Sequence, residues 1–261
     1  MSEEYKRVIL VTGSNTGIGF DIVRLLAEKG HTVYLAARKV DAGKEAQHKL
    51  KNEHGLDVKF VQLDVQDIKS IEAARDTIDK EEGRLDVLVN NAGISGMGDP
   101  QTADAMDINV LRSVFETNFF GLVQTTTTLL PLIRKAKPGY GNIVQNSMRW
   151  ASGAHQSSPE GITTFAAYCS SKSAVNMYSI ALARELKKDG IRVNCLCPGF
   201  VTTKLNHFRP GGKTTEQGAS VFVEWCLLGP GTEEKTGVYP PFFFCRNEEL
   251  IEVVSRSFLV G

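Results

Sequence analysis

Residues 7–19 read Arg7-Val8-Ile9-Leu10-Val11-Thr12-Gly13-Ser14-Asn15-Thr16-Gly17-Ile18-Gly19. An apolar run leads into a glycine-rich turn, and Ile22, Leu25 and Leu26 then recur at the spacing of a helix. This order predicts a strand, a tight turn and a helix whose N-terminus offers free N–H groups to an anion. The predicted phosphate-binding residues are Gly13, Asn15, Thr16, Gly17, Ile18 and Gly19. Because the spacing is Gly-x3-Gly-x-Gly rather than the common Gly-x-Gly-x-x-Gly, a turn without a ligand stays open at this point.

Strand and helix patterns alternate along the rest of the chain. The predicted strands after the first are 32–36, 58–63, 85–89, 142–145, 191–196 and 238–244. The predicted helices after the first are 42–53, 69–81, 110–135, 165–188 and 215–228. Strands that are apolar on both faces, each followed by a helix, indicate a mainly parallel sheet covered on both sides. We therefore predict an α/β fold, a single doubly wound, Rossmann-type domain over residues 1–261, with substrate loops near 152–161 and 204–218.

The composition excludes several classes of partner. Thirty basic residues balance thirty acidic ones, so the chain lacks the positive surface expected of a nucleic-acid or anionic-membrane binder. No run of about 20 apolar residues predicts a membrane span, and no signal-peptide pattern is found at the N-terminus. Five cysteines without a CxxC motif favour reduced thiols and a cytoplasmic location. The five histidines show no metal-ligand spacing, so no metal is expected.

The end of the second predicted strand indicates which dinucleotide the chain prefers. An acidic residue there would bind the ribose 2′-hydroxyl of NAD(H) and repel the 2′-phosphate of NADP(H). This sequence has Ala36-Ala37-Arg38-Lys39 and no acid until Asp41. Arg38 is suited to pair with a 2′-phosphate, with Lys39 beside it. The pattern favours NADP(H), although an Arg-Lys pair is also common on an ordinary solvated loop.

Tyr168 and Lys172 lie four residues apart near the start of a predicted helix, so they share one face. A free phenol titrates near 10, and a neighbouring ammonium together with an oxidised nicotinamide would favour the phenolate. Tyr168 would then act as a general acid or base at a carbonyl or alcohol oxygen. This spacing also arises by chance on many amphipathic helices, so the pair needs support from other motifs.

Six motifs supply that support through their order along the chain. They are Thr12-Gly13-x3-Gly17-Ile18-Gly19, Leu63-Asp64-Val65, Asn90-Asn91-Ala92-Gly93, Asn118, Tyr168-x3-Lys172 and Pro198-Gly199-Phe200-Val201-Thr202-Thr203. In this order they resemble the short-chain dehydrogenase/reductase family over nearly the whole chain. The C-terminal region is most similar to the carbonyl-reductase-like members.

The resemblance implies roles for residues that spacing alone does not explain. It implies that Asp64 and Val65 contact adenine, and that Asn118 holds a water relaying protons to Lys172. It implies that the adenosine side of the cofactor is lined by Asn90, Ala92 and Gly93. It also implies that the nicotinamide end is bound by Pro198, Gly199, Val201 and Thr203, the last two fixing the carboxamide.

The chain departs from the family at the end of the fifth predicted strand. The family pattern Gly-x-Ile-Val-Asn-x-Ser-Ser places the catalytic hydroxyl on the second serine, whereas this chain has Gly141-Asn142-Ile143-Val144-Gln145-Asn146-Ser147-Met148. Either a local bulge turns Ser147 into the site as the catalytic serine, or Met148 replaces that serine and the site loses a donor to the substrate oxygen. Met148 and Trp150 are the predicted substrate-binding residues.

These observations predict an NADP(H)-dependent oxidoreductase that transfers hydride between the nicotinamide and a small-molecule carbonyl or alcohol. The predicted catalytic residues are Tyr168, Lys172, Asn118 and Ser147. By resemblance, a homodimer or homotetramer would form through the helices predicted at 110–135 and 165–188. Two alternatives stay open: a family member with altered or non-redox chemistry because of Met148, and a nucleotide-binding regulatory protein.

Overall fold

The computed structural model describes residues 5–161, 164–232 and 234–237. Six strands form one sheet in which every neighbouring pair is parallel, in the order β3-β2-β1-β4-β5-β6. The strands are β1 (Val8–Val11), β2 (Thr32–Ala37), β3 (Lys59–Gln62), β4 (Val87–Asn90), β5 (Asn142–Asn146) and β6 (Arg192–Leu196). The prediction of a doubly wound α/β sheet is confirmed. The strand predicted at 238–244 lies outside the described residues.

Helices connect the strands along the whole described chain. They are α1 (Gly17–Glu28), α2 (Val40–His54), α3 (Ile68–Glu82), α4 (Ile108–Phe115), α5 (Gly121–Ile133), α6 (Gly153–Gln156), α7 (Ala166–Leu186) and α8 (Thr215–Cys226). Within the described residues, none of these helices is long and apolar enough to cross a membrane.

The alternation of side chains along each strand builds a core on each face of the sheet. Val8 and Leu10 of β1 pack on one face with residues of α3, α5 and α7. Ile9 and Val11 pack on the other face with residues of α1, α2 and α8. All four side chains are at most 1% exposed, which explains why the strand is apolar without a polar alternation.

The prediction of one continuous helix over 110–135 is wrong in one respect. A π-helical turn at Glu116–Phe120 separates α4 from α5. The turn is closed by the hydrogen bond from the Gly121 N–H to the Glu116 carbonyl. Such turns insert one extra residue and re-aim the side chains that they carry. Asn118 lies inside this turn and is fully buried.

The strand order creates a cleft at the carboxyl ends of β1 and β4. These two strands are neighbours, yet α1 packs on one face of the sheet and α5 on the other. The connections therefore diverge at this point, which is where doubly wound sheets bind ligands. The predicted phosphate loop follows β1 and the Asn90–Gly93 motif follows β4, so the fold brings both to the cleft.

Candidate active site

The phosphate loop has the backbone geometry that its sequence predicts. Gly13 and Gly17 have φ angles of 58° and 62°, in the left-handed region that glycine tolerates. The Ser14 hydroxyl donates to the Val11 carbonyl at 2.8 Å and accepts from the Ala36 N–H at 3.0 Å, so the loop is tied to both β1 and β2. The Thr16 side chain does not cap α1. Within the described chain, nothing accepts hydrogen bonds from the N–H groups of Gly17, Ile18 and Gly19.

Close packing joins this loop to the segment after β4. A Cβ on Gly13 would lie 2.8 Å from the Ala92 Cα, a distance that no side chain tolerates. The Thr12 hydroxyl accepts hydrogen bonds from the N–H groups of Asn91 and Ala92, both at 3.0 Å. Asn90 points to the opposite side and donates to the Thr126 hydroxyl of α5 at 2.9 Å. Ala92 therefore lines the cleft, whereas the Asn90 side chain binds β4 to a helix.

The adenosine end of the predicted site lies beyond β2 and β3. Arg38 and Lys39 are both exposed directly after β2. A groove of about 440 Å³ is lined by Arg38, Gln62, Asp64 and residues of α3. Val65 is buried, and its carbonyl accepts a hydrogen bond from the Gln124 side chain. Arg38, Asp64 and Val65, predicted separately, thus lie at one corner of the molecule.

The nicotinamide-binding segment predicted by resemblance follows β6. Val201 is buried and forms an isolated β-bridge with Lys213. A Cβ on Gly218 of α8 would lie 2.7 Å from Val201 and 3.5 Å from Ile18 of the phosphate loop. The Thr203 methyl group also lies near Gly17, at 3.9 Å from the position of a Cβ there. The segment from Pro198 to Thr203 therefore forms the wall of the cleft opposite the segment after β4.

Tyr168 and Lys172 occupy the first two turns of α7, as predicted. The Lys172 Nζ lies 5.9 Å from the centroid of the Tyr168 ring and donates to the Asn146 carbonyl at 2.7 Å. Lys172 is only 3% exposed. Within the described chain, the Tyr168 hydroxyl has no hydrogen-bond partner. A substrate oxygen would therefore meet no competitor at this hydroxyl.

A residue that sequence reasoning missed, Gln101, fixes the start of α7. Its carbonyl accepts from the Ala166 N–H at 3.1 Å, and its side-chain oxygen accepts from the Tyr168 N–H at 3.4 Å. Its side-chain nitrogen donates to the carbonyls of Ser95 and Gly96. Gln101 thus couples the catalytic helix to the loop after β4. Nothing in its polar loop sequence distinguishes it from its neighbours.

Burial shifts the pKa values of Tyr168 and Lys172. For Tyr168 the shift is upward, whereas the sequence predicted a lowered pKa. Burial raises the pKa of Tyr168 well above its usual value, and the Cys197 and Cys169 thiols raise it further. The expected lowering required the charge of an oxidised nicotinamide, which the chain alone does not supply. Burial lowers the pKa of Lys172 to about 8. Near neutral pH the chain therefore presents a protonated phenol and a mostly charged, poorly solvated ammonium.

We expect Lys172→Met to stabilise the fold while it removes activity. The folded pKa of about 8 lies below the ordinary value of 10.5, a difference worth about 3 kcal/mol at neutral pH. The lost hydrogen bond to Asn146 offsets about 1–2 kcal/mol of this. Urea unfolding near neutral pH should therefore give a free energy of unfolding about 1–2 kcal/mol higher for the variant.

The pH dependence gives this prediction its control. Between about pH 8 and 10.5 the unfolded chain binds more protons than the folded one, so Lys172 makes stability rise with pH in that window. The rise should be smaller in Lys172→Met. Lys187→Met, which removes an exposed lysine just after α7, should retain it. Equal pH profiles for the two variants would contradict the assigned pKa.

Asn118 joins the segment after β4 to α7. Its Nδ2 donates to the Ile94 carbonyl at 2.8 Å and to the Ser171 hydroxyl at 3.0 Å, and its Oδ1 accepts from the Ile94 N–H at 2.9 Å. Both side-chain hydrogens are used, so a relay water would have to donate to Oδ1 or to the main-chain carbonyl. A Cβ on Gly93 would lie 3.2 Å from Asn118 Oδ1 and 3.6 Å from Lys172 Nζ. The glycine thus leaves space between the two groups.

The Ser147 hydroxyl is directed at α7. It donates to the Asn176 Oδ1 at 2.6 Å, and Ser147 is only 3% exposed. Met148 follows with extended backbone angles of −151° and 156°, so the two side chains point to opposite sides. Asn176 is a second residue that sequence reasoning missed. This geometry favours the interpretation in which Met148, not Ser147, occupies the family's serine position.

The loop after β5 carries the remaining predicted substrate residue. Trp150 lies in a short 3-10 turn, Arg149–Ala151, directly after Met148. Its indole N–H is buried without a hydrogen-bond partner in the described structure. The predicted substrate loop near 152–161 contains α6, and the Gln156 side chain contacts the Cys169 thiol at 3.4 Å. The loop is therefore attached to α7 beside Tyr168.

Comparison with known proteins gives a consistent result. A sequence profile of a family described as short chain dehydrogenase matches residues 7–212. Carbonyl reductase (NADPH) 3 from Mus musculus is 35% identical over 267 residues, covering 88% of this chain and 94% of that protein.

Solved structures show the same similarity. Salutaridine reductase from Papaver somniferum superimposes with a TM-score of 0.75 at 29% identity, covering 89% of this chain and 98% of that one. A short-chain dehydrogenase from Escherichia coli CFT073, solved in complex with NADPH, gives a TM-score of 0.76 at 27% identity and covers 88% and 94%. The fold thus matches that of solved short-chain dehydrogenases and reductases.

Proposed function

Since the chain belongs to the short-chain dehydrogenase family, we propose that it is an NADP(H)-dependent oxidoreductase that reduces the carbonyl group of a small-molecule ketone or aldehyde. The observation that carries this proposal is the Tyr168–Lys172 pair. A partly buried phenol without a partner in the described chain lies next to a buried ammonium, at the cleft where the phosphate loop and the segment after β4 meet. A protein that only binds a nucleotide has no need of this pair.

The chain's own residues fit the dinucleotide. Gly13 and Gly17 open a backbone cradle, and the first N–H groups of α1 face it without acceptors in the described chain. When bound, NADPH would supply the hydride for the carbonyl carbon. Arg38 and Lys39 would hold its 2′-phosphate, and Val201 and Thr203 would hold its nicotinamide end.

The proton would come from Tyr168. Because burial raises its pKa, the hydroxyl stays protonated at neutral pH and can donate to the carbonyl oxygen as negative charge develops there. The Lys172 ammonium then stabilises the phenolate that remains. The space at Gly93, between Asn118 Oδ1 and Lys172 Nζ, suits a water that returns a proton.

We expect the purified protein to oxidise NADPH with at least one member of a panel of ketones, quinones and aldehydes, and NADH much more slowly. Arg38→Asp should raise the KM for NADPH roughly 10- to 100-fold, because it removes a cation and adds a repulsive charge beside the 2′-phosphate. The KM for NADH should change little. The absorbance of the reduced nicotinamide measures both.

Lys44→Asp provides the control, since it makes the same charge change at an exposed position of α2. Its effect on both coenzymes should be small because exposed charges are screened by salt. If Arg38→Asp affects NADPH and NADH equally, the phosphate-binding role of Arg38 is wrong. If no panel member is reduced although NADPH binds, the proposed reaction is wrong.

A second candidate function has one observation in its favour. The Ser147 hydroxyl donates to Asn176, which supports the alternative in which Met148 stands where the family has its donor to the substrate oxygen. The enzyme would then be a slower or more substrate-limited member of the family.

The cellular location and the oligomeric state are also proposals. We propose a cytoplasmic location, which the free thiols of Cys169, Cys195, Cys197 and Cys226 support. A homodimer or homotetramer through α5 and α7 stays a prediction.

A further inference from the structure

The loop after β6 carries an unbalanced positive charge. Residues 199–213, called the basic loop below, contain Lys204, Arg209 and Lys213 but neither aspartate nor glutamate. The whole chain, in contrast, has equal numbers of acidic and basic residues. The next acid, Glu216, lies 2.9 Å from Arg24 and is already paired. The charge of the basic loop is therefore a local feature of this side of the molecule.

Hydrogen bonds hold the basic loop across the cleft. The Ser95 hydroxyl donates to the Leu205 carbonyl at 2.7 Å, and the His207 Nε2 lies 3.0 Å from the Met97 carbonyl. At its other side, Thr203 lies near Gly17 of the phosphate loop. The basic loop thus spans from the phosphate loop to the loop after β4, over the carboxyl ends of the strands.

Lys213 is the most closely held of these cations. Its N–H donates to the Phe200 carbonyl at 2.8 Å, and its carbonyl accepts from the Thr202 N–H at 3.1 Å. Its side chain runs along Gly199, where a Cβ would lie 3.6 Å from Cε and 3.5 Å from Nζ. Gly199 belongs to the segment from Pro198 to Thr203, which is proposed to bind the nicotinamide end. Lys213 is half-buried, and its side chain therefore lies beside the segment that is proposed to bind nicotinamide.

No carboxylate of the described residues is within ion-pair distance of Lys204, Arg209 or Lys213. The backbone of Lys213 is held by two hydrogen bonds, and its ammonium has no counter-charge among the described residues. Such an ammonium is suited to bind an anion through a charge-assisted hydrogen bond. Phe200, whose carbonyl accepts the hydrogen bond from the Lys213 N–H, is 43% exposed and adds apolar surface to the same loop. Resting on the proposed function, we propose that Lys213 selects carbonyl substrates that carry a carboxylate, which accepts a hydrogen bond from its Nζ.

A matched pair of substrates tests this proposal. Benzoylformate and its methyl ester share the ring and the ketone and differ in the negative charge. We expect the unmodified enzyme to favour the acid over the ester in kcat/KM. Lys213→Met should lower this acid-to-ester ratio roughly 10- to 100-fold, the value of one charge-assisted hydrogen bond, whereas Lys213→Arg should retain most of it.

Lys204→Met is the control for long-range charge. It removes the same charge from an exposed position of the same loop, so the ratio should stay within roughly twofold. If Lys204→Met lowers the ratio as much as Lys213→Met, the preference comes from the field of the loop and the assigned contact is wrong.

A binding measurement separates this proposal from the proposed function and from the other source of an anion, the cofactor's phosphates. Calorimetry on the NADP⁺ complex should show benzoate binding more tightly than benzamide, and Lys213→Met should remove that difference. If Lys213→Met instead weakens NADPH binding and leaves both ratios unchanged, the ammonium contacts the dinucleotide and the proposal is wrong. If no carbonyl is reduced, the proposed reaction fails, and the benzoate-to-benzamide ratio still decides the role of Lys213.

Discussion

Tyr168→Phe should lower kcat/KM for carbonyl reduction about 1000-fold and change the dissociation constant of NADPH by less than about threefold. The substitution removes only the hydroxyl, and that hydroxyl has no hydrogen-bond partner in the described chain. The ring, its packing and the neighbouring Lys172 remain. A large loss of turnover without a loss of nucleotide affinity therefore isolates the proton transfer. Single-turnover oxidation of bound NADPH and a fluorescence titration of NADPH measure the two quantities.

Tyr178→Phe is the matched control on the same helix. The Tyr178 hydroxyl is also buried without a partner in the described chain, and burial raises its pKa to about 12. Its ring packs edge-on against Phe119, with the ring centroids 6.3 Å apart, and against an apolar cluster of Leu122, Val175 and Cys195. Tyr178→Phe should keep full activity and should not destabilise the protein, because it removes a buried polar group that makes no hydrogen bond. Equal losses in both variants would point to a helix disturbance and refute the acid–base role of Tyr168.

The same pair of variants separates the enzyme from a regulatory nucleotide-binding protein. A regulatory protein would bind NADPH with unchanged affinity in all three forms and turn over in none. An oxidoreductase would turn over as the unmodified protein and as Tyr178→Phe, but not at a comparable rate as Tyr168→Phe. The comparison therefore decides between the two classes with one assay and one titration.

The parts of the fold that could be predicted from the sequence are those that depend on local periodicity. The strand Val8–Val11 is apolar on both faces because helices cover both faces of the sheet. A continuous apolar run in the sequence therefore predicts a strand that is buried on both sides. The glycines of the phosphate loop were predictable for a similar reason. Gly13 and Gly17 adopt φ angles that other residues rarely tolerate, so the glycines in the sequence predict the turn.

The parts that escaped prediction depend on contacts distant in sequence. The π-helical turn in the helix predicted at 110–135 coincides with Asn118, whose side chain bonds to Ile94 and Ser171. These partners of Asn118 lie 24 and 53 residues away in the sequence, so the periodicity of the helix does not predict them. Gln101 is a similar case, since its role exists only once the loop after β4 and the start of α7 have met.

The pKa of Tyr168 shows the same limit in its chemistry. The spacing of Tyr168 and Lys172 predicted an ammonium that would lower the phenol's pKa. In the folded chain, burial dominates and raises it. Spacing on a helix gives proximity, whereas burial depends on which residues the tertiary structure packs around the ring. The Cys197 and Cys169 thiols, which raise the pKa further, are also brought near by the tertiary structure. The raised pKa favours the reductive direction, in which the tyrosine starts as a proton donor.

Met148→Ser should raise kcat/KM for carbonyl reduction roughly 100-fold, the value of one restored donor to a developing oxyanion. The Ser147 hydroxyl donates its proton to Asn176 Oδ1 and is therefore already engaged within the chain. Because side chains alternate along extended backbone, residue 148 points to the other side. A serine there would regain the position that the family pattern gives to the catalytic hydroxyl. Steady-state kinetics with the best substrate of the panel measure the gain.

Ser147→Ala and Met148→Leu complete the experiment. If the hydroxyl of Ser147 only joins the end of β5 to α7, Ser147→Ala should cost about 1 kcal/mol of unfolding free energy and leave the chemical step nearly unchanged. Met148→Leu keeps the apolar volume without adding a donor, so it should not accelerate the reaction. The opposite pattern is a lower kcat/KM in Ser147→Ala and no gain in kcat/KM in Met148→Ser. It would show that Ser147 is the donor and that its hydrogen bond to Asn176 breaks when substrate binds. In that case Asn176 would bind the Ser147 hydroxyl only in the absence of substrate, and Met148 would only line the substrate pocket.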